Sequence, residues 1–211
     1  MDGLLIDSEP LWTEAEKFAF AQVGIDLTEE MRKPTMGLRE DLVIDYWYTK
    51  QPWDNFSKKD LLRVIVEKVI ELVREKGEGM KGVEHVVKFF SDKSIPMAIA
   101  SSSYDNIINA VIDKLNLTDR VEFTYSAEHE EHGKPHPGVY ISTAKKLEVR
   151  PEDCLSFEDT FNGLLSAKSA RTKCVAVPDP AFRNDPRFSI ADAVLNDLEE
   201  FDEELWGELS K

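Results

Sequence analysis

The stretch PMAIASSSYDNIINAVIDKL, residues 96–115, carries the architecture in miniature. Residues 96–101 form a short apolar run that predicts a buried strand, and residues 104–115 predict a helix. Three serines lie between the two. The same alternation continues downstream. Strands are predicted at 122–125, 154–157 and 173–177, with a weaker one at 193–195. Helices are predicted at 138–147, 160–171 and 198–209. Strands alternating with helices of about 10–15 residues indicate right-handed crossovers and a parallel sheet covered on both faces. In the last helix, Leu195, Leu198, Phe201, Leu205 and Leu209 are expected to face the core.

Upstream the character changes. Residues 83–90 read as a helix, and residues 8 to about 78 read as helix throughout. Ser8 is a candidate N-cap, with Glu9 and Pro10 in the first turn, and Gly24 ends that helix. A second helix is expected over 39–48, and a long amphipathic one follows Ser57. The predicted fold is α/β: a Rossmann-like parallel sheet of residues 1–7 and 79–211, with an all-helical insert of residues 8–78.

The 211 residues suffice for one large domain, or a core with an insert. The net charge of −15 repels nucleic acid and anionic lipid, so neither is an expected partner. It also repels phosphorylated small molecules at long range, so any phosphate site must be a local concentration of donors, cations or metal. Cys154 and Cys174 match no zinc or redox spacing, and both are expected as buried free thiols in a reducing compartment. The N-terminal MDGLLIDSEP lacks the positive charge of a signal peptide, and no apolar run approaches membrane-spanning length. A soluble, cytoplasmic monomer is the expectation.

Ligands of open parallel sheets bind beyond the carboxyl ends of the strands, and four polar groups stand there. Asp2-Gly3 alone is a turn signal. Ser101-Ser102-Ser103 can cap the next helix or grip an anion. In GlyLysProHisProGlyValTyr (133–140), two prolines stiffen the loop holding Lys134, which is either a surface lysine or a presented ammonium. His136 between them reads as structural. Glu158 and Asp159 are adjacent acids after a strand, suited either to a helix N-terminus or to Mg²⁺.

In this order, the four motifs resemble the haloacid dehalogenase superfamily, in the branch of β-phosphoglucomutase and small sugar-phosphate phosphatases. Within it, AspGlyLeuLeuIleAspSerGluProLeuTrp (2–12), GlyLeuArgGluAsp (37–41) and AspTyrTrpTyrThrLysGlnProTrp (45–53) are most similar to hexitol and 2-deoxyglucose-6-phosphate phosphatases. The likeness spans essentially the whole chain, and the helical insert matches the branch's cap.

The resemblance implies a Mg²⁺-dependent phosphatase of small sugar or polyol phosphates that works in two steps through an aspartyl phosphate. An aspartate attacks phosphorus; a second, two residues on, protonates the leaving alcohol and then deprotonates the attacking water. Mg²⁺ offsets the repulsion between nucleophile and phosphoryl oxygens. On this chain Asp2 matches the general acid/base, with its backbone carbonyl a metal ligand. Ser101 and Ser102 match the phosphate grip, Lys134 the lysine tying phosphate to nucleophile, and Asp159 the metal carboxylate, with Glu158 beside it acting through water. Arg39 of the insert is a candidate substrate contact or, equally, a surface residue at a helix start.

The family's first motif reads Asp-x-Asp-Gly. Met1 stands at x, so the nucleophile and the central strand delivering it would precede Met1. The chain as given is therefore expected to fold poorly and to lack normal turnover. Asp7, beyond the turn, is a poor substitute nucleophile and is expected to serve a hinge, as is the region of Gly79. Two rival activities remain open. One is β-phosphoglucomutase-type transfer, against which Trp12 stands where such mutases carry a cap histidine. The other is sugar-phosphate binding without catalysis.

Overall fold

The computed structural model describes residues 1–35 and 38–211. Gly37, which opens the GlyLeuArgGluAsp motif, lies outside the described residues. The chain divides into two compact units, residues 1–7 with 79–211, and residues 8–78.

The unit of residues 8–78 is helical. It holds α1 (Glu9–Ala21), α2 (Glu29–Arg32), α3 (Glu40–Lys50) and α4 (Lys58–Lys76). The fully buried Ala15, Ala19 and Phe20 of α1 and Leu61, Ile65, Val69 and Leu72 of α4 form the apolar faces of two packed helices. Ser57 caps α4, accepting a hydrogen bond from Asp60 N. Ser8 does not cap α1. It is buried in a helical conformation and makes no side-chain cap bond, and Pro10 in the first turn removes one of the donors a cap would satisfy. The four-residue α2 lacks the length for a periodic signal and is not apparent in the sequence.

Buried charge also lies in this unit. Arg32, on α2, is 5% exposed and donates from Nε to Glu16 (2.7 Å), with Glu9 and Thr13 completing its shell. Glu40 at the start of α3 is also buried, and its Oε1 has no hydrogen-bond partner among the described residues. Burial, and next the charge of Glu16, hold its carboxyl well above the usual range.

The second unit alternates strand and helix in the order α5 (Val83–Asp92), β1 (Ala98–Ser101), α6 (Asp105–Lys114), β2 (Phe123–Ser126), α7 (Gly138–Lys146), β3 (Leu155–Glu158), α8 (Phe161–Ser169), β4 (Lys173–Ala176), β5 (Ala193–Val194) and α9 (Glu203–Leu209). Every strand pairing is parallel, as helical crossovers require. Strands β1 and β2 form one sheet, and β3, β4 and β5 a second. The register sets Ser101 opposite Ser126, and Glu158 opposite Ala176. All four of these positions lie at the carboxyl ends of their strands.

Two apolar clusters support those strand ends. Val139, Tyr140, Leu164, Ala167, Cys174 and Phe188 pack α7 and α8 together. An aromatic group of Phe89, Phe90, Phe157, Phe201 and Trp206 meets mostly edge to face, at centroid distances of 5.2–6.5 Å. Phe201 is completely buried; withdrawing a ring of that size from water contributes about 1.5–3 kcal/mol.

The predicted final helix of 198–209 is interrupted. A single turn at Leu198–Glu200 ends at Phe201, and Asp202 then caps a new helix by accepting from Leu205 N (2.8 Å). Leu198 and Phe201 are buried, whereas Leu195, Leu205 and Leu209 are only partly covered. Cys174 is a buried thiol, but Cys154 is only partly buried at the start of the β3 segment, a correction to the expectation for both.

Candidate active site

The α/β unit gathers Asp2, Ser101, Lys134, Glu158 and Asp159 through a short set of contacts. Asp2 sits on the turn of residues 1–6, where Gly3 N donates to Ile6 O (3.0 Å) and Gly3 takes a φ of +65°. Ser103 Oγ donates to Asp2 Oδ2 (2.7 Å), so the serine loop after β1 touches the first motif. On the other side, a Cβ added to Gly3 would lie 2.4 Å from Asp159 Oδ2. Glycine is needed here twice, for its positive φ and for the approach of this carboxylate.

The serine loop is closed upon itself. Ser101 is buried, and its Oγ accepts from Ser103 N (3.1 Å). Ser102 is exposed at the apex. Helix α6 begins only at Asp105, so the serines do not cap it. Completely buried Ser126, at the end of β2, donates from Oγ to Ser103 O (2.7 Å) and accepts from Glu128 N (3.0 Å). That support was not apparent in the sequence, because a lone serine at a strand end resembles any turn residue.

Lys134 is a largely covered cation rather than a surface one. Its side chain is 11% exposed and pairs with Glu158 Oε1, itself on a side chain 5% exposed. Lys134 Nζ also lies 3.4 Å from the Ala100 carbonyl of β1. Among the described residues its acceptors are Glu158 and Ala100, and an ammonium has three protons to give. His136, next in the same loop, shapes the backbone: its Nδ1 accepts from Gly138 N (3.2 Å), and its carbonyl accepts from Ser166 Oγ (2.7 Å).

Glu158 ends β3, and Asp159 follows it. Neither caps α8; Thr160 does, accepting from Gly163 N (3.1 Å). Tyr140 of α7, a buried phenol, donates to Glu158 Oε1. Burial, and then the charge of Glu158, raise its ionisation well above the ordinary range, so the hydroxyl stays a donor. The same two causes, burial and the charge of Glu158, push the Asp159 carboxyl up to about 6.

Two crowded, desolvated carboxylates of hard oxygen donors suit a divalent cation such as Mg²⁺. The residues therefore fit the implied metal, with Asp159 and the Asp2 carbonyl as candidate ligands and Glu158 behind them. Among the described residues, the one triple of His, Cys, Asp or Glu side chains with ligand atoms mutually within 4.8 Å lies elsewhere. It is Asp105, Glu128 and His129, largely exposed and hydrogen-bonded to one another and to the α6 backbone.

Arg39 belongs to the helical unit. It precedes α3, and its guanidinium grips Asp41 through Nε and a terminal nitrogen, both at 2.6 Å. Among the described residues no helix is long and apolar enough to cross a membrane.

Comparison with known proteins gives concordant matches. A family model described as haloacid dehalogenase-like hydrolase matches residues 1–177. Hexitol phosphatase B of Escherichia coli (strain K12) is 39% identical over 201 residues, 95% of this chain and 90% of that protein. A phosphorylated carbohydrates phosphatase of Thermotoga maritima is 30% identical over 177 residues, 81% of this chain and 78% of that protein. Among solved structures, CbbY from Rhodobacter sphaeroides in complex with phosphate superposes with a TM-score of 0.86 at 23% identity. That match covers 95% of this chain and 92% of CbbY, and it bears on the fold. The order of motifs along the strands, their meeting in one α/β unit and these matches agree: the chain belongs to the haloacid dehalogenase-like hydrolase family.

Proposed function

We propose that the protein is the scaffold of a Mg²⁺-dependent phosphatase acting on small sugar or polyol phosphates of the hexitol 6-phosphate or 2-deoxyglucose 6-phosphate type. The observation that carries this reading is the convergence of Lys134, the serine loop, Asp2 and the Glu158–Asp159 pair at the strand ends. The 39% identity to hexitol phosphatase B supports the substrate class.

In this reading a phosphate sits against Ser101, the Ser102 amide and the Lys134 ammonium. Asp2 carries a proton to the leaving alcohol and later takes one from water. Its contact with Ser103 Oγ fixes which way the carboxylate faces. When bound at Asp159 and the Asp2 carbonyl, Mg²⁺ supplies charge neutralisation for the phosphoryl group. Attack on phosphorus by an aspartate, as the resemblance implies, completes the two-step chemistry. The helical unit is read as the family's cap, with Arg39, paired to Asp41, a candidate substrate contact. The free thiols suit a reducing, cytoplasmic compartment.

The test is phosphate release from hexitol 6-phosphates and 2-deoxyglucose 6-phosphate by protein from its native source, with Mg²⁺ and with EDTA. Metal-dependent release that disappears in Asp159→Asn is the expected result. Equal rates with and without metal would refute the reading.

A further inference from the structure

We infer that Tyr140 is a positioning residue of the site, locking the Glu158 carboxylate in a single orientation between Lys134 and Gly163. The inference rests on the proposed metal and phosphate site and deepens it. Tyr140 engages both members of the buried ion pair. Its hydroxyl donates to Glu158 Oε1, the same oxygen that pairs with Lys134, and the Lys134 ammonium stands 5.1 Å from its ring centroid. The ring is anchored from behind by the apolar cluster of Val139, Leu164 and Cys174.

The far side of the carboxylate is set by α8. A Cβ at position 163 would lie 1.9 Å from Glu158 Oε2 and 2.7 Å from Oε1, so the carboxylate fills the space a side chain would take. Two donors on Oε1 and a wall at Oε2 leave no second rotamer of equal energy. The consequence concerns the neighbouring Asp159. Glu158 held in place keeps its charge beside the cation site and keeps Lys134 at Ala100 O. A free Glu158 would swing toward Lys134 with both oxygens and withdraw that charge. Hydrogen-bond partners standing behind metal ligands commonly tune metal affinity, and losing one costs about tenfold or more.

The decisive experiment is a double-mutant cycle on the full chain with Tyr140→Phe, Glu158→Ala and the pair. Phenylalanine retains the ring and its packing and removes only the donor. The first readout is Mn²⁺ affinity, measured by electron paramagnetic resonance of the free ion. Tyr140→Phe should weaken binding about tenfold, and should change nothing further once Glu158 is alanine. The second readout is the urea midpoint without metal, where the two effects should again be less than additive.

Undiminished Mn²⁺ affinity in Tyr140→Phe, or strict additivity in either cycle, would overturn the inference. Failure of the unaltered chain to bind Mn²⁺ would instead sink the proposed function, and the metal-free urea cycle would still decide whether Tyr140 holds Glu158. A merely structural tyrosine would lower the urea midpoint without coupling to position 158.

Discussion

Replacing Lys134 by methionine keeps the aliphatic stem and deletes the charge. Exposed ion pairs contribute only about 0–1 kcal/mol. The side chains of Lys134 and Glu158 are 11% and 5% exposed, so the buried regime applies instead. Removing one partner of a buried pair costs about 3–5 kcal/mol, because the other charge stays behind without compensation. Here the remainder is worse than one isolated carboxylate. Asp159 is the next residue, and Lys134 is one of the charges that now favour its ionised form. Among the described residues, Tyr140 alone would be left to satisfy Glu158 Oε1. With a urea dependence of about 2 kcal/mol per M, the midpoint should fall by roughly 1.5–2.5 M. The chain has two compact units, so the transition should be followed in peptides of β1 and β3 by hydrogen exchange rather than by bulk fluorescence. Lys134→Met with Glu158→Gln should recover most of the loss, since the carboxylate that lost its ion-pair partner is then neutral. A midpoint drop below about 0.5 M for Lys134→Met, or a double variant no better than the single, would refute the reasoning.

Other perturbations have equally definite outcomes. The Asp159 carboxyl, raised from 3.8 to about 6, binds a proton more tightly folded than unfolded. Stability of the metal-free protein should therefore fall as pH rises from about 4 to about 6, by about 3 kcal/mol from this group, and urea melts across that range would read it. Since proton and cation compete for the same carboxyl, Mn²⁺ affinity should drop about tenfold per pH unit below about 6. Gly163→Ala should displace Glu158 and lower Mn²⁺ affinity, while Gly207→Ala, where an added Cβ meets nothing, should leave affinity unchanged. Glu40, whose carboxyl is held well above the usual range by burial and then by the charge of Glu16, makes the helical unit lose stability as pH rises toward its raised pKa. Glu40→Gln should flatten that slope, as measured by unfolding at pH 5 and pH 8.

The elements that could be read from sequence were those with strong periodicity. Strands predicted at 122–125 and 154–157 occur at 123–126 and 155–158, and the helix predicted over 104–115 occurs at 105–114. Local pattern carries that information, because strands buried by crossover helices must be apolar throughout. What escaped depends on contacts between distant segments. Nothing within the run GVYIS marks Tyr140 as other than a core aromatic; its meaning comes from Glu158, eighteen positions later. Ser126 acquires its role only because the β1–β2 register sets it against Ser101. The break at Phe201 reflects a local competition, in which the Asp202 carboxylate offers the backbone a better partner than continued helix.

Gly163 lies inside a regular helix, where glycine has no conformational advantage and costs stability relative to alanine. Its identity is thus written by the carboxylate of another residue. Gly3 owes its identity to Asp159 in part and to its own φ in part. Positions 158 and 163 should consequently drift as a pair across related chains. A lineage that exchanged Glu158 for a smaller residue would be released to place alanine at 163 and recover helix stability. A lineage that keeps the acid stays bound to the glycine. The residue at 163 is then a tracer for whether the acid at 158 is still in use, readable where activity has never been assayed.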